Sequence, residues 1–250
     1  MHKIVAGLIF LLLNTPLFAA VQSKTIEYQD DGVTLTGYLY WDDAVQGARP
    51  GVLVIHEWWG LNDYAKKRAQ MLAELGYAVF AADLFGKGVR PTEVVDKKQH
   101  TGELYKDRAK LRALIQGAVD EAKKMGANTG NAVVMGYCFG GAAVLEYARS
   151  GADVKGFVTF HGGLSTPEGQ DYSKAKGQVL ILHGTADSAI TMTDFAALAN
   201  EMEAHGVRHE MISYSGAPHA FTVFGSARYQ EEADRKSWHR FVDFLDQTLR

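Results

Sequence analysis

Short apolar runs alternate with longer amphipathic stretches along most of this 250-residue chain. Val52–Ile55, Ala78–Ala82, Ala132–Met135, Gly156–Phe160 and Val179–Leu182 are almost unbroken apolar segments of strand length, as expected where both faces of a sheet are covered. Asn62–Leu75 carries its apolar residues at helical spacing and is closed by Gly76. His100–Met125 does the same through Leu104, Leu111, Leu114, Ile115 and Val119, with Gly126 beyond its end. Thr191–His205 stops at Gly206, and Ala227–Leu249 is a last amphipathic helix. Thr25–Tyr28 and Val33–Tyr40 alternate about an Asp30–Gly32 turn, and Arg208–Tyr214 supplies a further strand. Strands alternating with helices predict an α/β fold with a mainly parallel central sheet and helices on both faces. No repeat, low-complexity tract or linker interrupts it, so residues 21–250 read as one domain.

The first 20 residues break the pattern. Lys3 precedes an apolar run from Ile4 to Leu13, followed by Asn14, Pro16 and the small pair Ala19–Ala20. That order predicts a secretory signal peptide over residues 1–20 and a secreted, periplasmic mature protein. The run is too short for a span of about 20 apolar residues, so no stable membrane anchor is expected. The formal net charge is −3, and loss of Lys3 makes it 25 − 29 = −4. With both signs interspersed, nothing indicates a nucleic-acid partner. A monomer is the default expectation for the oligomeric state.

A single cysteine changes the picture more than the charge does. Oxidising compartments use cysteines in pairs, so a lone one is either a buried filler or a thiol kept for its chemistry. Cys138 stands in Gly136-Tyr137-Cys138-Phe139-Gly140, after a strand and before a helix. This is the nucleophile elbow with Cys in the Ser position; the glycines are needed because the turn is too tight for side chains. A thiol there faces a helix N-terminus, whose free amides favour a thiolate. The Phe139 amide is a natural oxyanion-hole donor. Asp187 follows the strand ending in Leu182, and His219 follows the last strand. Nucleophile, acid and base in that order are those of an α/β-hydrolase. His219 would take the thiol proton, and Asp187 would orient and stabilise the imidazole.

The other histidines carry blander expectations. His183 sits in the strand-end turn and reads as structural, while His161 ends a strand and is a weaker base candidate. No His/Cys/Asp/Glu set has metal-ligand spacing, and no glycine-rich nucleotide loop is present. Neither metal nor cofactor is expected.

With these residues in place, the mature chain resembles the dienelactone hydrolase family over nearly all its length. The resemblance rests on His56-Glu57-Trp58-Trp59-Gly60, Ala82-Asp83-Leu84-Phe85-Gly86, Gly136–Gly141, the Asp187 turn and the His219 loop. It implies that Glu57 faces the nucleophile and modulates its protonation, and that the Trp58 amide is the second oxyanion donor. It also implies that Lys87, with Arg90 nearby, binds a substrate carboxylate. Ala220-Phe221-Thr222-Val223 holds no arginine where the family's dienelactone-cleaving members place one, so the resemblance points to a family and not to a substrate. The expected activity is hydrolysis of a small-molecule ester or lactone through a thioester. The alternative is a non-hydrolytic thiol redox sensor or ligand-binding protein on the same fold, since an exposed thiol in an oxidising compartment can form a sulfenic acid.

Overall fold

The computed structural model describes residues 20–30 and 32–250. The signal peptide expected over residues 1–20 lies, apart from Ala20, outside them. The elements run β1 Val21–Asp30, β2 Val33–Asp42, β3 Pro50–Ile55, α1 Asp63–Ala73, β4 Ala78–Ala82, α2 Val94–Lys106 and α3 Arg108–Lys124. They continue with β5 Asn128–Tyr137, α4 Phe139–Arg149, β6 Gly156–Phe160, β7 Gln178–Gly184, α5 Met192–Ala204, β8 His209–Tyr214 and α6 Glu231–Leu249.

The eight strands form one sheet in the order β1-β2-β4-β3-β5-β6-β7-β8. β1 and β2 are an antiparallel hairpin, β2 meets β4 antiparallel, and every pairing from β4 to β8 is parallel. Along β3, Val52 and Val54 join one core cluster and Leu53 and Ile55 the other. Both faces are covered, so the segment is apolar throughout. α1 and α6 bury Ala65, Ala69, Leu72, Phe241 and Leu245 on one face. α3, α4 and α5 bury Leu111, Ile115, Val144 and Leu198 on the other.

The order of strands decides where chemistry can sit. From β3 the chain crosses to β4 through α1, then returns past β3 to β5 through α2 and α3. The connections leave β3 and β5 in opposite directions, which opens a crevice at their carboxyl ends. Glu57 follows β3 and Cys138 follows β5, side by side across that crevice.

Two helices differ from the sequence expectation. His100–Met125 is not one helix: α2 ends at Lys106 and α3 begins at Arg108. Asp107, at φ −106° and ψ 80°, breaks the path, and its carboxylate accepts from the Lys110 amide to cap α3. The last helix starts at Glu231, so residues 227–230 form a turn that reaches the crevice.

Candidate active site

Cys138 has φ 54° and ψ −114°, a conformation that a non-glycine residue adopts only when its surroundings enforce it. The enforcement is visible at the flanking glycines. A Cβ on Gly140 would lie 2.5 Å from the Ile55 carbonyl oxygen, and one on Gly136 would strike the Gly140 carbonyl. The elbow is thus wedged between β3 and the start of α4. It leaves the thiol half-buried at the top of the sheet.

His219 reaches the thiol from the loop between β8 and α6. Its Nε2 is 3.1 Å from Cys138 Sγ, and its Nδ1 is 2.7 Å from Asp187 Oδ2. The Asp187 turn is fixed from the other side, where Oδ1 accepts from the Ala189 and Ile190 amides, each at 2.9 Å. Burial works to raise the Asp187 pKa, but the bonds from His219 and these amides hold it below the ordinary carboxylate value. Burial likewise disfavours the His219 imidazolium. The bonds and charges of Asp187 and Cys138 outweigh it and push the pKa up to about 10. The arrangement favours a proton held on the imidazole, next to the Cys138 sulfur.

Glu57 lies against this pair, 1% exposed. Neither carboxylate oxygen has a hydrogen-bond partner among the described residues. Burial raises its pKa to about 8, against the opposing fields of His219 and Arg68. At neutral pH it is therefore held mostly as the acid.

His56 turns out to explain how Glu57 is aimed. Its Nε2 accepts from the Leu84 amide at 3.1 Å, so the proton sits on Nδ1, which donates to the Glu57 carbonyl at 2.5 Å. Burial depresses its pKa to about 4 and keeps it neutral. His183 donates to the Ile190 carbonyl at 2.9 Å and braces the Asp187 turn. His161 packs edge-on to His219 with ring centroids 5.2 Å apart, and its Nε2 is engaged by Thr222.

Of the two residues whose amides are expected to bind an oxyanion, Phe139 directly follows Cys138 and Trp58 lines the same cavity as the thiol. Phe139 opens α4, so its N–H has no intrahelical acceptor. The Trp58 N–H meets no protein acceptor among the described residues. A cavity of about 530 Å³ lies over the thiol, lined by Glu57, Trp58, Trp59, Ala189, His219, Ala220, Val223 and Arg228, among others.

Lys87 and Arg90 are not brought to this cavity. Lys87 pairs with Glu27 at 2.7 Å on the surface beside β1. Arg90 turns inward, donating to the Leu61 and Val89 carbonyls at 2.6 and 2.5 Å, and sits 3.7 Å from Asp83. Arg228, which no sequence expectation named, does line the cavity. Sequence reasoning missed it because residues 227–230 read as helix. Among the described residues, no three His, Cys, Asp or Glu gather where they could hold a metal, and no helix is long and apolar enough to cross a membrane.

Comparison with known proteins shows the family and the fold. A model of the dienelactone hydrolase family matches residues 35–249. The solved structure of m3DLH is 34% identical with a TM-score of 0.87, covering 92% of this chain and 100% of its own. A dienelactone hydrolase-like promiscuous phosphotriesterase from metagenomic libraries is 32% identical with a TM-score of 0.86, over 92% and 100% of the two chains. A provisionally named carboxymethylenebutenolidase of Methylorubrum extorquens is 27% identical over 212 residues, 80% of this chain and 73% of its own.

Proposed function

We propose that this chain, which belongs to the dienelactone hydrolase family and is a hydrolase of carboxylic esters or lactones, works through a covalent thioester on Cys138. One observation carries the reading: His219 bridges the Cys138 thiol, at 3.1 Å, and the Asp187 carboxylate, at 2.7 Å.

The steps follow from these contacts. The Cys138 thiolate attacks the carbonyl carbon, and the carbonyl oxygen takes up the negative charge between the Phe139 and Trp58 amides. The tetrahedral adduct collapses, the C–O bond breaks, and His219 delivers its proton to the departing alcohol oxygen. In a lactone that alcohol stays tethered to the acyl group. Water then attacks the thioester carbonyl, His219 accepts its proton, and the acid departs as the thiolate is regenerated. Asp187 keeps the imidazole in one orientation through both halves. Glu57, held as the acid, places no negative charge beside Cys138; when ionised it would oppose a negative charge forming on the sulfur. The largely apolar cavity wall of Trp58, Trp59, Ala189, Ala220 and Val223 suits a small apolar acyl or ring portion, with Arg228 also at its lining.

The N-terminal order of charge, apolar run and small residues supports export of the mature chain to the periplasm.

Incubation with p-nitrophenyl acetate and intact-mass analysis tests the reaction. The expected result is an acetyl adduct that clears with turnover and is missing from Cys138→Ala. Full esterase activity in Cys138→Ala would overturn the reading.

A further inference from the structure

Thr222 lies three residues beyond His219 in the same loop and is fully buried. Side chains from two distant elements converge on it. The Tyr64 hydroxyl is 2.6 Å from Thr222 Oγ1, and His161 Nε2 is 2.8 Å from the same atom. Arg68 donates through Nη2 to the Thr222 carbonyl at 2.7 Å. Tyr64 and Arg68 stand one turn apart on α1, while His161 follows β6 at φ 41°.

The hydrogen bonds of this chain can run in one direction from Arg68 to His161. Arg68 can only donate, and its Nε points to the Tyr64 oxygen at 3.3 Å. The Tyr64 hydroxyl is then free to donate to Thr222, whose own hydroxyl donates to His161 Nε2. That order leaves the His161 Nδ1–H without a partner among the described residues, and the reverse order would leave the Tyr64 proton without one. His161 accepts as a neutral ring, since burial holds its pKa well below the ordinary value.

The loop needs such an anchor. Ala220, next to His219, has φ 64°, and a non-glycine residue stays there only when neighbouring contacts enforce it. The contacts are on either side: Gln230 donates to the Phe221 carbonyl at 3.0 Å, and Thr222 is held at both its hydroxyl and its carbonyl. Arg68 is fixed in turn by an ion pair with Asp234 and by the Phe224 ring, 4.1 Å from its guanidinium carbon.

We propose that Thr222 is a positioning residue for the hydrolysis, its hydroxyl tying the His219 loop to Tyr64 and His161 so that the imidazole stays against the thiol. The proposal rests on the reading of Cys138 as nucleophile and His219 as its base.

Thr222→Val removes the hydroxyl while keeping the shape and the carbonyl that Arg68 holds, and Thr222→Ser restores a hydroxyl. Thr222→Val is expected to lower kcat about ten- to a hundredfold with KM within about twofold of wild type, the signature of a displaced base. Thr222→Ser should recover most of kcat, and Tyr64→Phe should lower it in the same direction. If Thr222→Val does not fold, Tyr64→Phe carries the test, because it deletes the hydroxyl that bonds Thr222 and keeps the ring. Alkylation of Cys138 by iodoacetamide at pH 7 gives a readout that needs no turnover and should slow in Thr222→Val. A wild-type kcat in Thr222→Val, or a Thr222→Ser as impaired as Thr222→Val, would overturn the proposal. Slower alkylation in the variant of a wild type that forms no acetyl adduct would leave the positioning role standing and remove the thioester reading instead.

Discussion

Glu57 shows how a single buried side chain can tie pH to stability. The folded chain keeps its carboxyl protonated to about pH 8, because burial with no hydrogen-bond partner penalises the charge. The unfolded chain releases that proton near the ordinary value of 4.5. Between these two values unfolding frees a proton, so this group's contribution to stability is present below about pH 4.5 and is lost as pH climbs toward 8. Glu57→Gln cannot titrate. Urea denaturation at pH 5, 7 and 9 should find wild type losing a few kcal/mol relative to Glu57→Gln across that range; parallel curves would contradict the assignment. At this scale the sequence spoke through motif chemistry. Cys138, Asp187, His219 and Glu57 stand in short strand-end motifs, and the structure gathers all four. Lys87 and Arg90 come from the family resemblance, through the loop that follows Asp83–Gly86. Proximity in the chain says nothing about which way a loop turns, and the loop sends one cation to Glu27 and the other to the Leu61 carbonyl. Thr222 left no signal at all, because its partners Tyr64 and His161 are 158 and 61 residues away.

Among the elements, the central strands could be read directly, since burial on both faces leaves an uninterrupted apolar segment. The α2–α3 corner could not. Leu104 and Leu111 are seven residues apart, which preserves helical phase across the break, and periodicity does not register a change of axis. The local clue was Asp107, a residue suited to capping. The α5 terminus shows the same chemistry more fully. Thr191 Oγ1 accepts from the Asp194 amide at 3.3 Å, and the Asp194 carboxylate accepts from the Thr191 amide at 2.7 Å. Thr191→Ala should cost about 1 kcal/mol in urea denaturation. Esterase activity should be retained, because the Ala189 and Ile190 amides that hold Asp187 precede the cap. A loss of activity without a loss of stability would show that the cap reaches into the site.

For the molecule as a whole, the ion pair of Arg68 on α1 with Asp234 on α6 binds the two helices on one face of the sheet. Both side chains are almost wholly removed from solvent, 1% and 7% exposed. Asp234→Ala would leave the guanidinium buried without its counter-charge, and should destabilise the fold by about 3–5 kcal/mol. Thermal and urea unfolding would measure this, and a change under about 1 kcal/mol would mean that the Thr222 carbonyl and the aromatic neighbours hold Arg68 without the ion pair.

The crevice at the ends of β3 and β5 draws its groups from Glu57 at one end of the sequence to His219 near the other, and the contact between thiol and imidazole joins residues 81 apart. Parallel strands are slow to assemble, because long loops must close before distant partners reward them. During refolding the helices and the β1–β2 hairpin, built from near neighbours, form early, whereas the site exists only after β3, β5, β6, β7 and β8 lie side by side. Catalysis is thus the last property a refolding molecule regains, and esterase activity serves as a clock for completion of the sheet rather than for the appearance of its helices.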